Sequence, residues 1–189
     1  MKKLIITGAF IAAIFSCKAQ KEDQEAMMKA WQNYMTPGEH HKMLAKSNGT
    51  WNQEITMWMA PGAPAEKSTA IAENKMIMNG LYQQSTTTGS FNGMPFEGVS
   101  TTGYDNARKV YVSTWIDNMG SGIMYMEGPW DEATKTVNMK GTQTDPMTGK
   151  TISIRETFKI VDEKTQFMEM FETKDGKERK MMEIKFTKK

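Results

Sequence analysis

Residues 36–59, TPGEHHKMLAKSNGTWNQEITMWM, contain the point at which the chain changes its period. Thr36 reads as a helix N-cap, Pro37 as the first helical residue and Glu39 as the partner that closes a capping box. Asn48-Gly49 reads as the stop. Just upstream, Met27, Trp31 and Tyr34 or Met35 fall at helical spacing on one apolar stripe. Two short helices over residues 26–48 are therefore expected. From Gly49 the helical period is gone, and Trp51, Ile55, Met57 and Met59 share one face of an alternating segment, as strand residues do.

The rest of the chain repeats that pattern. Turn chemistry breaks it at Pro61-Gly62, Asn79-Gly80, Asn92-Gly93, Asp105-Asn106, Gly120-Ser121-Gly122, Asp131-Glu132, Asp145-Pro146 with Gly149, Asp162-Glu163 and Asp175-Gly176. Asn79-Gly80 is the most specific, because both residues tolerate the positive φ of a tight hairpin turn. These breaks define about ten strands with no helix-length gap between them. Left open, such a sheet would expose two edges, and closure into an antiparallel up-and-down β-barrel removes both. A two-sheet sandwich is the alternative. Ile152, Ile154, Phe158 and Ile160 share one face, as do Met182, Ile184 and Phe186. Residues 49–188 thus read as an all-β barrel domain.

Residues 1–16 read as an export signal: MKK is a basic start, and LIITGAFIAAIF is an apolar run shorter than the ~20 residues that span a bilayer. Ile14-Phe15-Ser16-Cys17 resembles a bacterial lipobox, in which the cysteine is lipidated. Cys17 is the only cysteine, which excludes an intramolecular disulfide and thiol chemistry in the folded part. Residues 17–25 then form a polar tether to the outer membrane, on its periplasmic or its cell-surface face, and Lys21-Glu22-Asp23 resembles a surface-export tag. The rival is cleavage after Ala19, which gives a soluble periplasmic protein. Lys2 and Lys3 belong to the signal; without them the 24 basic residues fall to parity with the 22 acidic ones. No basic stripe is left to follow a phosphate backbone, so nucleic acid is not an expected partner.

The segments GMPFEGVSTTGYDNARKVYVSTWIDNMGSG, TPGEHHKMLAKSNGTW and DPMTGKTISIRE resemble a bacterial family known as domain of unknown function 1579. Gly103-Tyr104-Asp105 and Trp115-Ile116-Asp117 carry much of the likeness, which spreads from about Met27 to Lys188. The resemblance implies a calycin-type barrel, similar in shape to lipocalins and fatty-acid-binding proteins. No activity or functional residue is established for the family, so the resemblance carries over no catalytic set, and no cofactor is expected.

Few residues suggest chemistry. His40 and His41 are adjacent, so on a helix they point about 100° apart and cannot chelate one ion together. One is expected to pack over the barrel end and the other to meet solvent. No nucleophile elbow, P-loop or zinc-protease motif is present in the sequence. Trp51 and Trp115 read as core, Asp117-Asn118 as the start of a turn, and Asp105-Asn106 as a hairpin tip lacking the alternate carboxylates of a calcium loop. Glu156 falls on the same face as Ile154 and Phe158, where a carboxylate must be paired or take up a proton. It would hold the polar end of a ligand or meet a rim lysine or an inward tyrosine; a slip of one residue would exchange it with Arg155.

Four M-x-M pairs stand out among 19 methionines: Met57/Met59, Met76/Met78, Met124/Met126 and Met168/Met170. Thioethers bind Cu(I), but a closed site needs a second pair nearby, and antiparallel pairing sends Met57/Met59 and Met76/Met78 to opposite ends of one hairpin. The surviving cluster is Met57, Met59 and Met182, if the last strand closes against the first. Wall or pocket lining is the simpler role for the methionines.

The sequence thus leads to an exported, lipid-anchored barrel that binds a small apolar or amphipathic ligand, with no reaction and no cofactor. Its wall is expected to comprise Trp51, Met57, Met59, Ile154, Glu156, Phe158, Met182 and Ile184. The alternatives are a filled barrel that binds a protein, a Cu(I) or oxidant-handling protein, and a hydrolase. Cys17→Ser is expected to release the protein from membranes on fractionation; continued membrane association would count against the anchor.

Overall fold

A computed structural model of the chain describes residues 7–174 and 176–189, with side chains from residue 21 onward. The first six residues of the expected signal, the Cys17 side chain and Asp175 at the last hairpin tip lie outside the described residues. Two units are distinguished, residues 1–36 and 37–189.

The first unit carries α1 (Thr7–Met35), which is longer than the short helix that the stripe at Met27–Met35 suggested. Residues 18–30 are rich in Ala, Gln, Glu and Lys, so nothing stops the helix before Thr36-Pro37. Among the described residues, no helix is long and apolar enough to cross a membrane.

The second unit opens with α2 (Glu39–Lys46). Its N-cap is Gly38 and not Thr36, and the side chain that closes the cap belongs to His41 and not Glu39: His41 Nδ1 accepts the Gly38 N–H at 3.0 Å. Thr36 instead donates its hydroxyl to Gln32 O. The strands follow as β1 (Gly49–Met57), β2 (Glu66–Ile77), β3 (Tyr82–Phe91), β4 (Met94–Asp105), β5 (Val110–Asp117), β6 (Met124–Gly128), β7 (Trp130–Asp131), β8 (Thr136–Thr144), β9 (Thr151–Ile160), β10 (Thr165–Lys174) and β11 (Lys177–Lys188). Among the described residues, each turn signal falls between strands or, at Asp105-Asn106 and Asp131-Glu132, begins on a strand's last residue. At the second one Met78, Asn79 and Gly80 all take positive φ, so the left-handed stretch begins one residue before the Asn-Gly pair.

Consecutive strands pair antiparallel except β6 and β7; β6 pairs with β8 and β1 with β11, so ten strands close into a barrel. The two-residue β7 follows β6 after Pro129 and borders β8 at Val137 and Thr136. The seam is tight. A Cβ on Gly141 would collide with the Tyr125 carbonyl, and one on Gly128 with the Asn138 carbonyl. Inward alternation is continuous around the ring, because each inward residue faces another across the strand pair, as in Ile55↔Ile184, Met168↔Ile184 and Phe158↔Met168.

One end of the barrel is stoppered by α2. Trp51 Nε1 and Asn74 Nδ2 donate to Ser47 O at 2.8 and 3.0 Å, and Gln83 Nε2 donates to Leu44 O at 2.6 Å. Gln166 Nε2 donates to Ser47 Oγ at 2.6 Å, and Lys188 Nζ donates to Lys46 O at 2.9 Å. These donors supply what the last turn of a helix lacks. The opposite end is rimmed by the loops at 58–65, 92–93, 118–123 and 145–150.

Gly141→Ala is expected to cost about 2 kcal/mol or more by forcing the seam apart, whereas a Cβ on Gly122 meets nothing, so Gly122→Ala is expected to be neutral. Urea denaturation of the two variants checks this; equal midpoints would show that the seam is not tight.

Candidate functional site

The interior has two unlike walls. Many inward positions of β2 to β5 are small or hydroxylic (Ala70, Ala72, Ser85, Thr87, Ser100, Thr102 and Ser113), with Gln83, Tyr104, Tyr111 and Trp115 among them toward the ends. Thr102 and Ser113 hydroxyls lie 3.1 Å apart, and Gln53 Nε2 donates to Thr87 Oγ1 at 3.3 Å. The facing wall, from β6 through β8 to β11, is apolar and holds Met126, Met139, Ile154, Met168, Met170 and Ile184, all buried, with Phe158 and Met182 packed against them. Several inward residues, among them Ile55, Met57, Ser85, Ser100, Thr102 and Trp115, are only half-buried. A barrel filled by its own side chains would cover them.

Glu156 lies within the apolar wall. Its register is the one read from alternation, since Arg155 points outward to Glu178 at 2.8 Å and over the Phe171 ring. Across the strands, one row runs Met139↔Glu156↔Met170↔Met182↔Met57, from β8 through β9, β10 and β11 to β1. Glu156 is 8% exposed, and no described side chain hydrogen-bonds or ion-pairs with its carboxyl. Neither a rim lysine nor an inward tyrosine reaches it. Burial alone pushes this carboxyl up to about 7.

The other expected site residues divide by height. Met57 and Met182 face each other, as strand closure requires. Met59 does not join them: β1 ends at Met57, and Met59 lies on the following loop, 54% exposed. Met78 likewise leaves the wall for a turn, whereas Met124/Met126 and Met168/Met170 are true wall pairs. Trp51 is fully buried, but its indole N–H belongs to the α2 stopper. Ile154, Phe158 and Ile184 line the apolar wall.

Both histidines pack over the closed end, where one had been expected to meet solvent. His41 is buried, and His40 stacks on Tyr104 at 3.9 Å with its Nδ1 3.1 Å from Tyr111 Oη. Burial lowers both imidazole pKa values and raises that of the Tyr111 phenol.

A family model described as a protein of unknown function (DUF1579) matches residues 36–188. The chain belongs to the DUF1579 family. No curated protein matches it. The DUF1579 match takes in α2 and every strand, so the stopper and both walls lie inside the family region.

Alternation missed one inward pair. A bulge in β11 between Met182 and Lys180 reverses the faces, so Arg179 turns inward opposite Glu172, with Nε 2.5 Å from Oε1 and a further bond from Nη1 to Trp58 O. Near the same rim, Asp117 accepts the Trp115 indole N–H at 2.6 Å and the Met119 N–H at 2.9 Å, the turn role expected of it. Among the described residues, no three His, Cys, Asp or Glu side chains converge as a metal site. The thioethers of Met57, Met170 and Met182, with the Glu156 carboxyl, are the interior groups that could hold a soft cation.

The raised Glu156 pKa fixes the sign of a pH effect. The folded protein keeps a proton that the unfolded chain releases between the ordinary value of 4.5 and about 7. The contribution to stability is therefore complete at acidic pH and is lost as pH rises through 7. Glu156→Gln is expected to be more stable than the parent by about 3 kcal/mol at pH 8, with the gap closing by pH 4. Denaturant midpoints across pH check it; a gap independent of pH would place the carboxyl in contact with water.

Proposed function

We propose that this DUF1579 protein is an exported, lipid-anchored barrel that takes a small apolar or amphipathic ligand into its interior, without transforming it. The observation that carries this reading is Glu156: a carboxyl 8% exposed, facing inward, with no partner among the described side chains. Buried polar groups in folded proteins are almost always hydrogen-bonded. A partner from outside the chain would complete this one. The half-buried inward residues support it, and so does the pairing of a hydroxylic wall with an apolar one, which suits a ligand of two characters. Export and anchoring rest on the apolar run before Cys17 and on Cys17 being the only cysteine. A soft cation is the second reading, favoured by Met57 facing Met182 and Met182 facing Met170. A role as a filled interaction module leaves Glu156 unexplained, and a hydrolase would require a histidine that is not already engaged by Tyr104, Tyr111 or the helix cap.

Native mass spectrometry of protein taken from its own cell envelope is expected to show an added organic mass that Glu156→Leu diminishes. Added copper instead would support the second reading, and recovery of only the empty protein would count against both.

A further inference from the structure

We infer that the interior ligand is an amphipathic cation, whose ammonium group pairs with Glu156 while its chain lies along the thioether and aromatic wall. This rests on the ligand-binding reading and names the chemistry of that site.

Beside Glu156 the apolar wall offers no nitrogen donor among the described residues; the free hydroxyls, such as those of Ser85 and Ser100, stand on the β2–β5 wall. Glu156 has no partner, and Asn74 Oδ1 is the buried side-chain atom without a partner among the described residues, again an acceptor. The inward nitrogen donors are already used: Arg179 by Glu172 and Trp58 O, Gln83, Gln166 and Trp51 by the α2 stopper, and the Trp115 indole by Asp117. A carboxylate headgroup is held best by a fixed cation, and the inward Arg179 is already engaged by Glu172 and Trp58 O.

The charged and titratable groups around Glu156 leave it free for such a partner. Across β8 and β10 it faces Met139 and Met170, and along β9 it is flanked by Ile154 and Phe158. Glu172 with Arg179 and then Asp117 lie toward the open end, and His41, Tyr104 and Tyr111 toward the closed one. Burial raises the pKa because nothing nearby compensates an ionised carboxyl. An arriving ammonium supplies that compensation and draws the proton off. The Phe158 and Phe186 rings, 5.7 Å apart, and the sulfurs of Met170 and Met182 offer polarisable surface beside it.

The test is calorimetric titration of the protein with dodecylammonium, dodecanol and laurate at pH 5.5 and pH 8. Dodecylammonium is expected to bind tightest, and about 30-fold more tightly at pH 8, following the ionised fraction of a carboxyl at about 7. Glu156→Gln should abolish that pH dependence, and Glu156→Asp should retain part of it. Laurate or dodecanol binding as well as the amine, or a wild-type amine affinity unchanged by pH, overturns the cation assignment and leaves the ligand-binding reading standing. Failure of all three probes overturns both.

Discussion

The C-terminal end of α2 presents the Leu44 and Ser47 carbonyls and the Ser47 hydroxyl to the barrel interior, and the fold is arranged around meeting them. Trp51, Asn74, Gln83 and Gln166 come from β1, β2, β3 and β10, and each points inward to the same short helix end. Four strands are thereby fixed in register by a shared set of acceptors. Ser47 O takes two of these donors and Leu44 O also takes the Ser47 N–H, so losing one donor costs about the 0.5–1.5 kcal/mol of a single bond. This stopper also gives the barrel a direction. One end is closed by polar bonds and by the His40–Tyr104 stack.

The two walls follow from how the ring is closed. At the β6–β8 seam the backbones approach so closely that Gly128 and Gly141 have no room for a side chain, and the bulky residues around them, Met126 and Met139, fill the apolar half. On the opposite arc the Trp115 ring occupies the space a Cβ on Gly98 would need, and hydroxyl-bearing strands continue from there. Small residues thus lie where a backbone or a ring must pass, and methionines where space must be filled flexibly. The frequent M-x-M spelling is the two-residue period of a strand in a Met-rich chain at Met124/Met126 and Met168/Met170, and a strand end at Met57/Met59 and Met76/Met78.

Strand number, the antiparallel path, closure and the inward face of β9 were all legible, because turn residues and alternation are local signals. Three features were not. The cap of α2 moved to Gly38 because the His41 ring reaches back to it, a contact that Thr36-x-x-Glu39 obscures. Met59 was counted into a strand that stops at Met57, since alternation continues into the loop although pairing does not. Arg179 was unreadable, because a bulge reverses the faces without leaving a sequence mark on either side. The site was legible only as a set of candidates. Glu156 could be placed on the inner face, but whether it had a partner depended on residues from distant strands.

That bulge is also what isolates Glu156. Without it, Lys180 would continue the inward set of Met182 and Ile184 and bring a mobile ammonium to the apolar wall, two residues from Met182. With it, Lys180 faces outward to Glu169 and Glu183, and the inward cation becomes Arg179, held by Glu172 and the Trp58 carbonyl at the rim. A core built only for stability would gain from either change, a lysine paired with Glu156 or a fifth apolar residue in its row. The chain has neither. It keeps a carboxyl between methionines and its inward cation engaged elsewhere, an arrangement that costs folding free energy at neutral pH.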